Sequence, residues 1–345
     1  MGEPGAPLRD GESSRLTPVD VLVTRTTADR FGRDILAVGT DVRLLAMERD
    51  GGIVGPEGPV ASDDLAPEVV FATADLFDEG QPVIEFFAVA ATNPAVRWFQ
   101  SPAAGTDHPV FATIVERGVR LSTGHSQDVP IAEFVLRAVL DHRQDAAAWR
   151  LAQAAGEWRA HEFREVLGST WLVIGLGAIG SAVAVRARAF GATVIGVRRH
   201  PDGDEPVDEM VAPDRIGSFL GAADVVVLAA PGTVETESLV DAAFLAAMSP
   251  GSMLVNVGRG SLVDEEALLA ALDRGIPDRA VLDVVRREPL PAGHPFWTHP
   301  RVVLTPHSSA GGDGRFARLA ALFCENLGRY RSGEPLRHEV TEADR

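Results

Sequence analysis

Six short runs of aliphatic and β-branched residues recur in the second half of the chain, and they limit the fold more than any other feature. These runs span residues 171–175, 193–197, 224–228, 253–257, 280–284 and 302–305. Most are continuous in valine, isoleucine and leucine, as in strands buried on both faces of a parallel sheet. Their starts lie about 22 to 31 residues apart, which leaves room for one crossover helix between strands. The pattern predicts a six-stranded, doubly wound α/β domain.

The first half of the chain repeats this rhythm more weakly. We expect strands at 19–25, 42–47, 69–73, 96–99 and 119–122, with helices between them, and therefore a second, smaller α/β domain. A helical pattern from Ile131 to about Trp158 connects the two halves, and another helix from Phe316 to Tyr330 follows the sixth run. A C-terminal helix of this kind often returns to the first domain, so we expect the N-terminal domain to be discontinuous.

Length and charge exclude several classes of protein. A chain of 345 residues fits two domains of ordinary size. Its 32 basic residues, all arginine, stand against 49 acidic ones, and the formal net charge is −17. A chain this acidic repels phosphate backbones and anionic membrane surfaces, so we expect no nucleic-acid or membrane partner. The lack of lysine excludes Schiff-base chemistry and the P-loop lysine.

Two further features bear on location and metal binding. The single cysteine, Cys324, cannot form an internal disulfide or a cysteine zinc site, and we expect no metal. Residues 166–185 carry no charge over the length of a membrane span, but their glycines and turn pattern favour a buried strand, loop and helix. Since the N-terminus also shows no apolar segment of signal-peptide length, we expect a cytoplasmic location.

A glycine-rich turn follows the first of the six runs. It reads Gly175-Leu176-Gly177-Ala178-Ile179-Gly180, between a predicted strand and a predicted helix. In such a turn the first glycine allows the tight bend, the second lets the backbone approach a pyrophosphate, and the third lets helix and strand pack closely. The helix N-terminus offers N–H groups to the anion. We therefore predict dinucleotide binding, with Gly175, Gly177, Ala178, Ile179 and Gly180 as contacts.

The residues after the second run indicate which dinucleotide binds. A site that prefers NAD places an acidic residue there, to hold the ribose 2′-hydroxyl. Here Arg198 and Arg199 stand at that place. Arginine holds a 2′-phosphate through charge-assisted hydrogen bonds, whereas a carboxylate would repel it. The sequence therefore predicts NADPH as the cofactor, in preference to NADH.

Three further segments follow the fourth, fifth and sixth runs and carry candidate catalytic groups: Arg259, Glu288 and His307. Ligands of open α/β sheets bind at the carboxyl ends of the strands, where these segments lie. An arginine, a carboxylate and a histidine beside a nicotinamide suggest hydride transfer to a carbonyl next to a carboxylate. Arg259 would hold the substrate carboxylate in a bidentate fork. His307 would give its proton to the carbonyl oxygen, and Glu288 would orient the imidazole and favour its charged form.

With these segments in place, the sequence resembles the D-isomer-specific 2-hydroxyacid dehydrogenases over about residues 95 to 312. The glycine-rich turn, V-N-V-G-R-G at 255–260, L-D-V and E-P-L-P within 282–291, and T-P-H at 305–307 follow the family's order and spacing. The NADPH-using glyoxylate/hydroxypyruvate reductases are the most similar members, because of Gly196-Val197-Arg198-Arg199. The resemblance places the family's catalytic arginine, glutamate and histidine on Arg259, Glu288 and His307.

The resemblance also implies binding residues beyond the catalytic three. It places the aspartate that binds the nicotinamide amide on Asp283, and the substrate-loop amides on Ala103, Ala104 and Gly105. Further expected cofactor contacts, which follow the third and fourth runs, are Ala230, Pro231, Val257 and Gly258.

The resemblance assigns a role to each predicted domain. Residues 18–125 with 308–345 would be the substrate (catalytic) domain, and 126–307 the dinucleotide-binding Rossmann domain. Residues 1–17 are polar and rich in glycine and proline, and this composition predicts a flexible tail. We expect two Rossmann-like or flavodoxin-like domains with parallel sheets and a cleft between them. The resemblance and the long helix from Ile131 suggest a homodimer through the cofactor domain.

The function expected from the sequence is NADPH-dependent reduction of a 2-oxo acid to a D-2-hydroxy acid. Ser308 and Ser309 after the histidine, and Ala229-Ala230 before Pro231, depart from the family pattern, so the identity of the acid stays open. Two alternatives remain. One is a nucleotide-sensing scaffold that resembles the C-terminal-binding-protein co-repressors. The other is a dehydrogenase of a specialised substrate such as a phosphonate or formate.

Overall fold

The structure, a computed structural model, describes residues 18–105, 109–201 and 203–340 of the chain. The predicted tail at 1–17 lies outside these residues. Internal contacts divide the chain into two units, Met1–Gly124 with Leu319–Arg345, and His125–Arg318. We call them the first unit and the second unit.

The second unit extends further along the sequence than expected, because it ends at Arg318 whereas the predicted domain ends at His307. The residues in between are tied to this unit by two contacts. The backbone N–H groups of Ser308 and Ser309 donate to the Asp283 carboxylate, at 2.9 and 3.1 Å. Gly312 packs so closely on Pro130 that an added Cβ would come within 2.6 Å of the proline ring. Motif spacing alone does not reveal either contact.

The first unit contains a seven-stranded sheet in the order β4-β3-β2-β1-β5-β6-β7. Its strands pair in parallel except for β3 with β2 and β3 with β4. When the five parallel strands are counted alone, their order is the flavodoxin-like 2-1-3-4-5. The elements are β1 (Val19–Thr24), α1 (Arg25–Leu36), β2 (Val42–Met47), β3 (Ile53–Gly55), β4 (Gly58–Val60), β5 (Val69–Phe71), α2 (Val83–Thr92), β6 (Trp98–Gln100), α3 (Pro109–Glu116) and β7 (Arg120–Ser122).

The five strands expected in this unit are confirmed, and the hairpin of β3 and β4 was not expected. Each hairpin strand has three residues, which is too short for a period of two to stand out. Gly55, Gly58 and Pro59 fall within or at the ends of these strands, and glycine and proline are typical of turns. The hairpin extends the sheet on the side away from β5.

The second unit contains a seven-stranded, fully parallel sheet in the order β10-β9-β8-β11-β12-β13-β14. This is the Rossmann order 3-2-1-4-5-6 with one more strand added. The elements are α4 (Asp128–Arg143), α5 (Ala146–Ala154), β8 (Thr170–Ile174), α6 (Ala178–Ala189), β9 (Thr193–Val197), β10 (Glu209–Val211), β11 (Val225–Leu228), α7 (Ala242–Ala247), β12 (Met253–Asn256), α8 (Glu265–Asp273), β13 (Arg279–Leu282) and β14 (Val302–Leu304). The last helix, α9 (Arg315–Arg331), belongs to the first unit from Leu319 onward.

The sheet of the second unit is buried on both faces, as its valine- and leucine-rich runs predict. Along β8, Leu172 and Ile174 pack into one apolar cluster while Trp171 and Val173 pack into another. The six predicted strands are confirmed. The predicted total of six strands was wrong, because β10 adds a seventh strand to this sheet. Its sequence, Glu209-Met210-Val211, contains one β-branched residue and gives little signal.

The predicted helix from Ile131 to about Trp158 is wrong as a single element. α4 ends at Arg143, and α5 begins at Ala146 after Asp145, which has a φ of 48°. That left-handed conformation interrupts the helical path, and aspartate adopts it more readily than most residues. Residues 146–148, directly after the break, are all alanine, the strongest helix former, so helix propensity alone does not reveal the break.

The uncharged stretch at 166–185 forms β8, the glycine-rich turn and the first turns of α6, as predicted. Within the described ranges, no helix combines the length and the apolar character that crossing a bilayer requires.

An aromatic stack in the core of the first unit leads to the first prediction. Phe323 of α9 is fully buried. Its ring stacks on Phe71 of β5 and on Trp98 of β6, with ring centroids 4.0 and 5.1 Å apart. We predict that Phe323→Ala lowers the free energy of unfolding by about 3–5 kcal/mol, through lost burial and a cavity.

Urea unfolding followed by circular dichroism measures this change, with Phe77→Ala as the control because Phe77 is 61 % exposed. A loss below about 1 kcal/mol for Phe323→Ala would show that α9 does not complete this core.

Candidate active site

The glycine-rich turn connects β8 to α6. Gly175 has a φ of 97°, and a Cβ there would come within 2.5 Å of the Ala230 nitrogen. Gly180 lies directly against the Gly175 carbonyl, so it too has no room for a side chain. A Cβ on Gly177, by contrast, would meet nothing within 4 Å. The turn therefore needs the first and third glycines for packing, and the second faces open space.

The open space beside Gly177 lies directly in front of the N-terminus of α6. The Gly177 carbonyl accepts the first hydrogen bond of the helix, from Ser181 at 2.9 Å. The N–H groups of Ala178, Ile179 and Gly180 precede that bond and have no partner within the helix. A helix N-terminus approached without a side chain suits a phosphate. These residues therefore fit the pyrophosphate of a dinucleotide.

Two more turns meet the glycine-rich turn at this edge of the sheet. Ala230 follows β11, and its backbone lies between Gly175 and Gly258. A Cβ on Gly258 would come within 2.6 Å of the Ala230 carbonyl oxygen. Pro231 accepts a hydrogen bond from the Thr236 hydroxyl at 2.7 Å. The side chain of Val257 is buried among apolar residues. Any contact of Val257 with a cofactor would therefore come from its backbone.

Arg259 is held by the turn that follows β12. The Asn256 side chain is fully buried and binds this turn twice: its amide nitrogen donates to the Arg259 carbonyl at 2.9 Å, and its oxygen accepts from the Gly258 nitrogen at 3.1 Å. Gly260 presses against the backbone of Val285, leaving no space for a side chain. These contacts fix the backbone that carries the guanidinium.

His307 and Glu288 form the pair that the sequence predicts. His307 Nδ1 lies 2.8 Å from Glu288 Oε2, and the other carboxylate oxygen accepts from the Val285 nitrogen at 3.1 Å. His307 itself has a φ of 49°, a left-handed conformation that is rare outside glycine. The backbone nitrogen of His307 donates to the Asp283 carbonyl at 2.8 Å, which ties the loop to the end of β13.

Asp283 is 3 % exposed and anchors the loop that carries the histidine. One carboxylate oxygen accepts from the Thr305 hydroxyl at 2.6 Å and from the Ser308 nitrogen at 2.9 Å. The Ser309 nitrogen contacts both oxygens, and the Ser309 hydroxyl donates to the second. The carboxylate predicted to bind the nicotinamide amide therefore also binds its own chain through both oxygens.

The three predicted catalytic side chains border one cavity of about 300 Å³ in the second unit. Its lining consists of Arg259, Gly260, Ser261, Val284, Val285, Arg286, Glu288 and His307. A guanidinium at this cavity can bind a carboxylate through two parallel hydrogen bonds. An imidazole oriented by a carboxylate can transfer a proton from its free nitrogen. The arrangement therefore suits a small carboxylic acid whose carboxylate binds the guanidinium while another of its groups exchanges a proton with the imidazole.

The two arginines after β9 are paired with carboxylates. Arg198 Nη1 lies 3.3 Å from Glu205 Oε1, and Arg199 Nη1 lies 3.9 Å from Glu235 Oε2. A hydrogen bond from Thr233, with a smaller effect of Arg199, holds the pKa of Glu235 below its usual value. Both arginines follow β9, the strand next to β8, as the sequence predicts. Each also has an acidic partner that the sequence did not predict.

Ala103, Ala104 and Gly105 follow β6 in the first unit. The Ala103 nitrogen donates to the Ser101 hydroxyl at 3.1 Å, and its carbonyl accepts from Gly124 at 2.9 Å. The Ala103 amide is thus used within the first unit. The substrate-binding role of these three residues stays a prediction from the family resemblance.

Several residues that support the site were missed. Asn256, Thr305 and Ser309 bind the loops that carry Arg259 and His307. Arg286 donates to the carbonyls of Ser261 and Val263, beside the Arg259 turn. Asn256 and Thr305 stand inside the quoted motifs, so their position was a signal. The bonds of Arg286 depend on a loop path that the sequence does not show.

A family profile described as "D-isomer specific 2-hydroxyacid dehydrogenase, NAD binding domain" matches residues 136–309, which lie in the second unit. The chain is 34 % identical over 188 residues to a glyoxylate/hydroxypyruvate reductase A of Serratia proteamaculans. That alignment covers 54 % of this chain and 59 % of the relative, so it spans less than two thirds of the relative's length. A glyoxylate/hydroxypyruvate reductase B of Citrobacter koseri is 31 % identical, over 76 % of this chain and 85 % of that protein.

A solved structure extends the similarity over both units. The D-isomer-specific 2-hydroxyacid dehydrogenase of Xanthobacter autotrophicus, crystallised with NADPH and MES, is 28 % identical to this chain. The alignment covers 94 % of this chain and 98 % of that one, with a TM-score of 0.73. The two-unit α/β architecture expected from the sequence is confirmed by this match.

The hydroxyl of Ser309 gives the prediction of this subsection. Because Asp283 is buried, removing one of its donors leaves part of a carboxylate unsatisfied. We predict that Ser309→Ala lowers the free energy of unfolding by about 1–3 kcal/mol.

Ser308→Ala is the matched control, since Ser308 binds Asp283 through its backbone nitrogen. Differential scanning calorimetry compares the two variants. Equal melting temperatures would show that the Ser309 hydroxyl adds nothing to the anchor.

Proposed function

Because the chain belongs to the D-isomer-specific 2-hydroxyacid dehydrogenases, we propose that it reduces a small 2-oxo acid to the D-2-hydroxy acid with NADPH. The observation that carries this proposal is the cavity bordered by Arg259, Glu288 and His307. It lies in the unit that contains the glycine-rich turn and the match to the NAD-binding domain. Relatives named glyoxylate/hydroxypyruvate reductases support small acids as the substrate class.

Arg259 binds the substrate carboxylate in this proposal. Its guanidinium offers two parallel N–H groups that match the two oxygens of a carboxylate. Asn256 and the packed Gly260 hold the backbone below it, and Arg259 Nη1 donates to the Gly258 carbonyl at 2.9 Å. The backbone that carries the guanidinium is therefore in place before the substrate arrives.

His307 supplies the proton. Since Nδ1 faces Glu288, Nε2 is the nitrogen that gives its proton to the carbonyl oxygen of the substrate. The Glu288 carboxylate, 2.8 Å from Nδ1, orients the imidazole for this transfer. In the reverse direction the same nitrogen accepts the hydroxyl proton of the hydroxy acid.

The glycine-rich turn and the arginines after β9 would hold the cofactor. Gly177 and the N-terminus of α6 fit the pyrophosphate, and Arg198 with Arg199 fit the 2′-phosphate. When bound, NADPH supplies the hydride that reduces the carbonyl carbon. The related dehydrogenase that was crystallised with NADPH supports this cofactor over NADH.

Absorbance at 340 nm tests the proposal directly. The protein is mixed with NADPH, and separately with NADH, and with a series of 2-oxo acids from glyoxylate and hydroxypyruvate to phenylpyruvate. We expect turnover with the smallest acids and a preference for NADPH. Bound NADPH without turnover of any acid would instead favour a nucleotide-sensing scaffold.

The proton donor gives a specific prediction. We expect His307→Asn to lower kcat by about 10²–10⁴, because the carbonyl oxygen loses its acid. NADPH binding, measured by fluorescence, should stay within about twofold of the wild type, because His307 acts on the acid and not on the nucleotide.

His299→Asn is the matched control, as His299 lies before β14 and pairs with Asp273. Turnover of the His307→Asn variant at the wild-type rate would rule out its role as the acid.

We also propose that the protein is a homodimer through the second unit. The segment from α5 to the start of β8 exposes several apolar side chains, among them Leu151, Trp158, Phe163 and Leu167. Exposed apolar residues in such number are typical of protein interfaces. The occupant we propose is a second copy of this chain.

Sedimentation velocity tests the dimer. We expect a dimer for the wild type and a monomer for Trp158→Glu, because a charge placed in an apolar contact costs several kcal/mol. Ile84→Glu, at an exposed apolar residue of the first unit, should leave the dimer intact. A monomeric wild type would refute the proposal.

A further inference from the structure

The Arg198 guanidinium is paired with a carboxylate that is itself buried. The side chain of Glu205 is 4 % exposed, and that of Arg198 is 35 % exposed. Glu205 Oε1 accepts from Arg198 at 3.3 Å, and Oε2 accepts from the Gly203 nitrogen at 2.9 Å. Arg198 and the Gly203 nitrogen therefore hold both carboxylate oxygens of Glu205.

The neighbouring pair is different in kind. Arg199 and Glu235 are separated by 3.9 Å, and their side chains are 59 % and 67 % exposed. Water and salt screen such a pair, so the attraction between its two charges is weak. Among the described residues, the two arginines predicted to bind a 2′-phosphate thus pair with one acidic residue that is buried and close and with another that is solvated.

We propose that Glu205 limits the preference for NADPH over NADH, by opposing the 2′-phosphate that Arg198 attracts. This inference rests on the proposed cofactor function and deepens it. Glu205 is a specificity-determining residue that acts through Arg198 and through its own charge.

The physical reason is the difference between the two cofactors. A phosphate monoester carries a charge of about −1.5 to −2 near neutral pH, whereas the corresponding group of NADH is an uncharged hydroxyl. A carboxylate that is shielded from solvent acts on a nearby charge with little screening. Glu205 therefore weakens the binding of a 2′-phosphate and leaves the binding of a 2′-hydroxyl nearly unchanged. It also neutralises part of the charge with which Arg198 attracts the phosphate.

Glutamine in place of Glu205 isolates this charge effect. The amide keeps an oxygen that can accept from Arg198, so the guanidinium keeps a partner. The negative charge is removed while size and shape are retained. Aspartate keeps the charge on a shorter side chain and serves as the second variant.

The experiment is isothermal titration calorimetry with 2′,5′-ADP and with 5′-AMP, which differ by the 2′-phosphate. We expect Glu205→Gln to bind 2′,5′-ADP about tenfold more tightly than the wild type, as the loss of one shielded like charge predicts. Affinity for 5′-AMP should change by less than about twofold, because the effect needs the phosphate charge. Glu205→Asp should keep the wild-type ratio of the two affinities.

Two further variants separate this effect from others. Glu235→Gln removes a carboxylate from an exposed pair, and we expect a change of less than about twofold. In an Arg198→Gln background, Glu205→Gln should improve 2′,5′-ADP binding by less than in the wild type, because part of its effect runs through Arg198. Circular dichroism confirms that each variant is folded.

The outcomes distinguish this inference from the proposed function. Unchanged or weaker 2′,5′-ADP binding by a folded Glu205→Gln variant would overturn the inference, as would an equal gain for 5′-AMP. A wild type that binds neither nucleotide would overturn the inference together with the proposed cofactor. The expected shifts in a protein that reduces no 2-oxo acid would support the role of Glu205 while refuting the proposed reaction.

Discussion

The contact of three turns at one edge of a parallel sheet determines where the glycine-rich turn and the Arg259 turn can lie. β8, β11 and β12 are neighbours in the sheet of the second unit, and each ends at this edge. The turns that follow them touch through backbone atoms, with Ala230 between Gly175 and Gly258. Any Cβ at these two glycines would push the turns apart. Close packing without side chains therefore brings a helix N-terminus and the Arg259 turn to the same side of the domain.

Buried hydrogen bonds complete this arrangement at the ends of β12 and β13. Asn256 holds the Arg259 turn, and Asp283 holds the loop that carries His307. The left-handed conformation of His307 costs on the order of 1–3 kcal/mol, and the surrounding bonds maintain it. The resulting histidine keeps one ring nitrogen on Glu288, and the other is the one proposed to transfer the proton. Rigid support below partly exposed side chains is the general pattern of a preorganised site.

Much of this could be predicted because parallel strands and their turns have strong local signals. The valine-rich runs gave strand positions to within a few residues, and the motif glycines marked the turns. The short strands β3, β4 and β10 lacked such a signal, and the break at Asp145 is followed directly by three alanines, which favour a helix. Side-chain partners were the hardest to predict. Glu205 meets Arg198 because of the path of one loop, and no periodicity in the sequence encodes that path.

The most direct test of the account is the stereochemistry of the product. The protein is supplied with NADPH that carries deuterium at the transferable position, and with hydroxypyruvate or another 2-oxo acid that it accepts. The account predicts a D-2-hydroxy acid with deuterium on carbon 2, as chiral chromatography and mass spectrometry would show. An L-hydroxy acid, or a product without deuterium at that carbon, would contradict it.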